Sequence, residues 1–403
     1  MIPRADSGKL RATSGRNSTK STTSKTAVAP IVVTSEAELN KAIAVINASG
    51  QSTTIDVQRS FTLTGNATAI TASLTMLSSN GSAIDDGGFV LLDISNGAIV
   101  GVALQAAGSG TNAVHGQGEN TTLKGLTGGA VAAVDMDDGG LLIVDNGQTF
   151  KTGAVKLLSP FGCEAVIRGT LDNSGPMFVV QGTVNVGGGQ MGDLDVAYQS
   201  FLTIKPNTVF KAGKVKVRLE SQILSDGTGT LVTDGPLMVY GVGWRHSPAQ
   251  VLGMNVGDIT LIELGTFGST QSSHGTPGGS AGAVTNISGL FELGHEGLWT
   301  IGSYTQQTGG TLKIHLPDFS GKAPFLNISG KATFSGGKVA IGPDIYYLPP
   351  GTQNQKIKLI TAAGGLSPSN LSSLVTFSAF PTGITPSLLQ DANNLYLILT
   401  VTG

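Results

Sequence analysis

KVKVRLE, at residues 214–220, alternates apolar and charged side chains with a strict period of two. Successive side chains of a β-strand point to opposite faces, so the pattern predicts a strand that buries Val215, Val217 and Leu219 and exposes its charges. The same alternation returns at Leu312, Ile314 and Leu316, with Lys313 and His315 outward, and at Leu395, Leu397, Leu399 and Val401. Half-buried strands are therefore the expected building unit.

Short β-like runs continue on both sides of this stretch, from Thr54 onward, and Gly, Asn, Asp and Ser separate them. The 403 residues include 58 Gly, and 12% are charged and 5% aromatic, which is typical of an all-β chain with many turns. A single β-sandwich of this length is unusual, and no linker divides the chain. A solenoid fits instead, because each coil buries its side chains against the coils on either side. No fixed rung length fits the sequence.

One segment has helical spacing. Ser35 is placed as an N-cap with Glu38 three residues later, and Gly50 follows the end of the pattern. We expect this helix to cover the open N-terminal end of the first coil, since an uncovered solenoid end exposes core and strand edges. The apolar stripe consists of Leu39, Ala42, Ile43 and Ile46.

Three regions are predicted along the chain. Residues 1–29 form a flexible basic tail, 30–308 a parallel β-helix and 309–403 a C-terminal β cap. The tail has no aromatic residue and the body has no basic stripe, so nucleic-acid binding is not expected. No apolar run reaches the roughly 20 residues that span a bilayer, and no secretory signal precedes the body. The tail's basic residues are Arg4, Lys9, Arg11, Arg16, Lys20 and Lys25.

Both ends of the body resemble the passenger regions of bacterial autotransporters. The opening at residues 36–88, with its helix, the TIDV strand, its apolar rungs and the Gly87-Gly88 end, is similar to the start of many passenger β-helices. Closer similarity lies in GGTLKIHLP at 309–317, in LNISGKATFSGGKVAIGPDIYYLPPGTQNQKIKLITAAGGL at 326–366 and in NNLYLILTVTG at 393–403. The resemblance implies a right-handed parallel β-helix (solenoid) with an N-terminal capping helix and a C-terminal β cap that assists folding as an autochaperone. The sequence departs from the pattern of a full autotransporter because its first residues lack the apolar region of a signal peptide, and because it stops at Gly403, where a translocator barrel would be expected.

Two Asp-x-Asp pairs suggest a rival, enzymatic function. Carboxylates on adjacent rungs can hold a cation against an acidic sugar while an Arg removes a proton, so a carbohydrate-active lyase or hydrolase would use Asp135, Asp137 and Arg168, with Asp193 and Asp195 nearby. The simpler interpretation is that these acids end strands and form solvated turns. The enzymatic hypothesis requires the five side chains to converge within about 10 Å.

The other reactive residues indicate no chemistry. Cys163 is predicted to be a small buried side chain, and Trp244-Arg245-His246 is either a recognition spot or a loop plug. The histidines have no metal-binding spacing, and His315 is expected to be an exposed surface residue. We therefore expect no catalytic, cofactor or metal site, and a secreted or cell-surface protein for adhesion to a host or neighbouring cell, with carbohydrate among its partners. The histidines are His115, His246, His274, His295 and His315.

Overall fold

The chain folds as a parallel β-solenoid, with 56% of its residues in strands and 4% in a helix. This confirms the all-β, parallel β-helix prediction. None of the described residues forms a helix long and apolar enough to cross a membrane. Residues 1–28 of the predicted tail lie outside the described part. A computed structural model describes residues 29–108, 113–158, 162–225, 228–241, 250–252, 254–268, 279–293, 298–316, 325–343 and 356–401.

The first sheet contains 16 parallel strands, one from each successive coil. Neighbouring strands pair in register, as Leu142 with Ala165 and Ala165 with Val184. The strands are Ile31–Val33, Thr53–Val57, Leu74–Leu77, Ile99–Ala103, Thr122–Gly125, Leu141–Val144, Glu164–Ile167, Thr183–Val186, Phe201–Ile204, Gln222–Leu224, Gln250–Leu252, Thr266–Gly268, Leu290–Leu293, Thr311–Leu316, Lys338–Pro343 and Val375–Phe377.

A second and a third sheet complete each coil. Four long strands, Gly129–Asp137, Thr149–Leu158, Ser280–Asn286 and Trp299–Gln306, run through both sheets. The second sheet also contains Phe61–Thr62, Ala83–Asp85, Gln105–Ala107, Thr170–Asn173, Gly189–Met191, Val209–Ala212, Thr230–Thr233, Asn255–Val256, Leu326–Ile328 and Lys356–Ala362. The third sheet also contains Leu92–Ile94, Val114–Gln117, Met177–Val180, Leu194–Ala197, Val215–Arg218, Leu237–Tyr240, Ile259–Ile262, Ala332–Phe334 and Leu366–Ser367.

The core is a stack of inward side chains that repeat from coil to coil. In the third sheet each inward residue lies against its register partner on the next rung, and fully burying an aliphatic side chain contributes about 1.5–3 kcal/mol. This inward column is Met136, Leu157, Val179, Val196, Val217, Val239 and Leu261, all essentially without exposed surface.

The coils differ greatly in length. Gln250 lies opposite Thr266, 16 residues later in the chain, whereas Val339 lies opposite Val375, 36 residues later. The extra residues come between paired strands, and the register of the sheets stays intact. This explains why no fixed period can be found in the sequence.

Glycines stack at the corner between the second and third sheets. The Gly330 amide donates to the Gly302 carbonyl at 2.7 Å, and the Gly364 amide donates to the Gly330 carbonyl at 2.8 Å. A Cβ on Gly330 would lie 2.6 Å from the Gly302 oxygen, which is too close for any side chain. Part of the high glycine content is therefore required by the close approach of successive coils.

The predicted N-terminal helix spans Glu36–Ser49 and covers the first coil. The Ser35 hydroxyl accepts the Glu38 amide, and Gly50 ends the helix with φ of 63°. The Glu36 carboxylate accepts the Thr64 amide at 3.0 Å, so the helix also satisfies backbone groups of the coil beneath it. The predicted stripe is confirmed, because Leu39, Ala42, Ile43 and Ile46 are all buried.

The C-terminal end is closed by an antiparallel pair, Ile384–Gln390 and Asn394–Val401. Asn394–Val401 also pairs with Lys356–Ala362, and this confirms the predicted C-terminal β cap. Leu395, Leu397 and Leu399 are buried as expected. The outer strand carries Pro386, which has no amide to offer a further strand.

The core of the last coils differs from the aliphatic core of the earlier ones, because it contains packed aromatic rings and buried side-chain amides. Phe267 stacks on Phe291 with centroids 5.1 Å apart, and Tyr304 contacts Phe334 at 5.3 Å. The Tyr304 hydroxyl donates to Gln306 Oε1 at 2.7 Å. Gln306 Nε2 donates in turn to the Gly336 and Lys338 carbonyls, and Asn286 Nδ2 donates to the Thr311 carbonyl at 3.0 Å.

Two predictions about side-chain exposure are wrong. The strand at 214–220 ends at Arg218, because Leu219 adopts a left-handed conformation with φ of 55° and leaves the buried face. His315 is only 4% exposed, although it was expected to be a surface residue. Its Nε2 lies 2.5 Å from Glu292 Oε1 of the preceding coil, a contact that alternation within one strand cannot indicate.

Candidate binding groove on the third sheet

The outer face of the third sheet changes character along the solenoid. One outward side chain per coil forms a column, and neighbours in it are about 4.8 Å apart. The early members are charged or aromatic and the late ones are hydroxyl residues. The column runs Asp93, His115, Asp135, Lys156, Phe178, Asp195, Lys216, Met238, Thr260, Thr285, Thr305, Thr333 and Ser367.

A groove with a volume of about 510 Å³ lies near the middle of this face. That volume falls within the range of ligand sites, and the groove is open to solvent. We call it the third-sheet groove; its lining residues are Asp195, Lys216, Arg218, Leu219, Tyr240 and Glu263.

A two-point ion pair forms the floor of the third-sheet groove. Arg218 Nε donates to Asp195 Oδ1 at 2.9 Å, and an Arg218 terminal nitrogen donates to Asp195 Oδ2 at 2.7 Å. The Asp195 side chain is 13% exposed and that of Arg218 is 38% exposed. Because a guanidinium has five N–H groups, Arg218 keeps donors for a ligand while its plane is fixed.

The remaining groove residues lie on neighbouring coils. Tyr240 is the register partner of Arg218, so its half-buried side chain lies beside Arg218 on the next coil. Lys216 is exposed and pairs in register with Asp195. Glu263 follows Ile262, the register partner of Tyr240, and is exposed at the far end. The groove thus combines an aromatic face, fixed donors and two exposed charges.

The turns that follow the third sheet form one wall of the groove and contain residues in the left-handed region. Earlier turns at this corner place Asn or Asp there, and these side chains tolerate a positive φ. Around the groove, larger side chains occupy the same conformation, at a cost of roughly 1–2 kcal/mol each. The earlier residues are Asn96, Asn120 and Asp138; the later ones are Gln181, Tyr198, Gln199, Leu219, Glu220, Glu263 and Leu264.

The five residues of the enzymatic hypothesis do not form one site. Asp135 and Asp195 share the outward column but are three coils apart, about 14 Å. Asp193 lies at a corner, where its Oδ1 accepts the Lys214 amide at 2.8 Å. Arg168 follows a strand of the first sheet and pairs with Asp145 at 2.8 Å.

Asp135 and Asp137 lie two residues apart on one strand. Burial raises the pKa of the Asp135 carboxyl above its usual value, although Lys156 and His115 oppose the shift. Asp137 accepts the Asp138 amide at 3.0 Å at the strand end, as the turn interpretation requires. In the described ranges no three His, Cys, Asp or Glu residues lie close enough to hold a metal ion.

The other residues noted in the sequence have simple places. Cys163 is buried as predicted, and its Sγ donates to the Met136 carbonyl at 3.2 Å. His115 Nδ1 lies 3.1 Å from Asp93 Oδ1 within the outward column. Trp244-Arg245-His246, His274 and His295 lie outside the described residues.

Comparison with known protein families, curated proteins and solved structures finds no match for this chain. The function must therefore be argued from its own surface. Sequence reasoning missed the third-sheet groove because its residues come from four coils whose lengths differ. The one available signal was Lys216 and Arg218 on the outer face of the strand at 214–220.

Proposed function

We propose that this chain is a non-enzymatic binding protein, exposed at a cell surface or secreted, that acts in adhesion. Its binding surface is the outer face of the third sheet, and the partner is an extended surface polysaccharide. The resemblance of both ends to autotransporter passengers supports the same assignment. The observation that carries the proposal is the alignment of the third-sheet groove with the hydroxyl column along one axis.

The chemistry of this face suits a sugar chain. A tyrosine ring offers an apolar platform and a hydroxyl, and the ring of Tyr240 can stack on the C–H face of a sugar. The Asp195–Arg218 pair presents donors and acceptors together, as vicinal hydroxyls require. Beyond the groove one hydroxyl per coil continues the line, at Thr260, Thr285, Thr305 and Thr333.

The turns beside the groove contain residues whose positive φ destabilises the fold, and this supports a binding role for them over a purely structural one. Asn and Asp satisfy the same backbone conformation in the early coils, so the fold itself does not require Tyr198 or Leu264. Tyr198 is 56% exposed and Leu264 is 67% exposed, so neither contributes much to the core. Strained residues collect at functional sites, where the side chain is needed by a partner.

The test is binding of the whole chain to immobilised neutral and acidic polysaccharides and to bacterial and epithelial cells. We expect Tyr240→Ala and Arg218→Ala to lower affinity about tenfold or more, because each removes a central contact. Lys211→Gln is the matched control, since Lys211 is an exposed lysine of the second sheet outside the groove. Equal binding by all variants and the parent would disprove the proposal.

The rival carbohydrate-active enzyme is tested in the same mixtures. A lyase or hydrolase would shorten the polysaccharide and release new chain ends over time. We expect no shortening at any pH between about 5 and 9. Cleavage that disappears in Asp135→Asn would instead establish the enzyme and refute the non-enzymatic function.

A further inference from the structure

The charged side chains of the third-sheet groove are distributed unevenly along the axis of the solenoid. The central pair of the groove is internally neutralised, because the Asp195 carboxylate binds Arg218 through two hydrogen bonds. Lys216 lies on the same strand as Arg218, one coil beyond Asp195, and no carboxylate of the described residues is within 4.0 Å of its ammonium. Glu263 stands two coils further along the axis, about 10 Å away.

Because Arg218 neutralises Asp195, the opposite charges of Lys216 and Glu263 select the ligand's orientation along the axis. An anionic group is favoured at Lys216, and the same group is disfavoured beside Glu263. The Lys216 stem lies on the outward column between Asp195 and Met238, which leaves its ammonium facing solvent at the groove rim. A neutral sugar would leave this ammonium unused.

The position of Lys216 relative to Tyr240 limits what the anionic group can be. The two residues lie on adjacent coils, and their strand positions differ by two residues because Lys216 pairs with Met238. A ligand unit that contacts both Lys216 and Tyr240 must present a negative charge to the lysine and an apolar face to the tyrosine ring, about one sugar width apart. A sugar carboxylate, attached directly to the ring, has that geometry.

Resting on the proposed function, we infer that the third-sheet groove binds a uronic acid unit of an acidic polysaccharide. The carboxylate lies on Lys216 and the ring stacks on Tyr240. The hydroxyls face the free N–H groups of Arg218 and the lone pairs of Asp195. The following units run toward Thr260 and the hydroxyl column, so the chain has one preferred direction.

The test compares two forms of neutral oligosaccharides that carry one uronic acid unit, such as glucuronoxylan oligosaccharides, with the carboxylate free and with the carboxylate methyl-esterified. The two forms share the sugar rings and their hydroxyls and differ only at the carboxyl group, where the ester has a methyl group in place of the negative charge. We expect the parent chain to bind the free acid at least about tenfold more tightly at low salt, and the difference to shrink as salt screens it. Lys216→Gln should bind both forms equally, while Lys211→Gln keeps the preference.

The outcomes separate the inference from the proposed function. Equal affinity of the parent for both forms, with a loss in Tyr240→Ala, overturns the acidic-sugar inference and leaves polysaccharide binding intact. A preference for the free acid that survives in Lys216→Gln overturns the assigned contact. No binding of either form, together with unchanged cell binding in Tyr240→Ala, overturns both.

Discussion

Glu292 is a buried carboxylate that contacts two basic side chains of the next coil. Its carboxylate is 7% exposed and accepts from Lys313 Nζ at 2.8 Å and from His315 Nε2. Burial raises its pKa, but the hydrogen bonds and charges of His315 and Lys313 outweigh burial, and the net pKa lies below 4.5. The charged form is therefore favoured by folding.

A carboxyl whose folded pKa is lowered stabilises the protein above its unfolded pKa and loses that contribution as pH falls through the folded pKa. We expect the free energy of unfolding to fall as pH drops below about 4.5. Glu292→Gln should cost about 1–3 kcal/mol at pH 7 and show a weaker acid dependence. Denaturant unfolding of both proteins at pH 7, 5 and 3.5 checks this; parallel pH curves would contradict it.

The residues with positive φ near the groove allow a pair of opposite substitutions to be compared for their effect on stability. Leu264→Asn should stabilise the chain by about 1 kcal/mol, because Asn tolerates positive φ and Leu264 buries little surface. Asn207→Leu, at an exposed left-handed position outside the groove, should destabilise it by a similar amount. Thermal unfolding measures both. We expect the Leu264→Asn protein to be more stable than the parent and to bind polysaccharide more weakly. A Leu264→Asn protein that is less stable than the parent would contradict the strain argument.

At the scale of elements, both ends of the solenoid are protected in different ways. The N-terminal end is covered by a helix that packs an apolar stripe onto the first coil. The helix also accepts hydrogen bonds from that coil, as when the Thr68 amide donates to Asn40 Oδ1. The C-terminal end is closed by the antiparallel pair with Pro386 on its outer strand. Both devices keep strand edges from pairing with another molecule.

The helix therefore offers a sharp test of the cap. Ile43→Asp places an unpaired charge at a position with no exposed surface, and we expect it to cost about 3 kcal/mol or more and to promote aggregation. Val45→Asp is the matched control, because Val45 lies on the same helix and is 53% exposed. Light scattering and unfolding distinguish the two variants. An Ile43→Asp protein as monomeric and stable as Val45→Asp would show that the helix is not a cap.

At the scale of the whole molecule, alternation predicted much of the core, and the many turn residues and the chain length then favoured a solenoid over a sandwich. Val215, Leu312 and Leu395 are buried as their spacing indicated. The positions of coils could not be predicted, since coil length varies and only backbone pairing fixes the register. The third-sheet groove and the Glu292–His315 contact depend on that register, so neither could be derived from one strand at a time.

The stability of the molecule should be concentrated in its last coils. The ring stack and the buried amides span Phe267 to Lys338 and tie four successive first-sheet strands together. Nearest-neighbour interfaces hold a solenoid, so a stable terminal unit lowers the cost of nucleating each weaker coil stacked on it. We propose on the same physical basis that residues 309–403 act as an autochaperone.

Removing residues 309–403 cuts through this network. The fragment 30–308 keeps Asn286 and Gln306 but loses the Thr311, Gly336 and Lys338 carbonyls that accept from them, at about 1–3 kcal/mol for each unsatisfied amide. We expect this fragment to refold about tenfold more slowly than the whole chain and to be protease-sensitive. Fragment 122–403, which lacks a similar length from the other end, should refold at nearly the full rate. Hydrogen exchange in the whole chain should be slowest around Tyr304. If 30–308 refolds as fast and as completely as the whole chain, the last coils do not template the others, and the proposed autochaperone role of residues 309–403 is wrong.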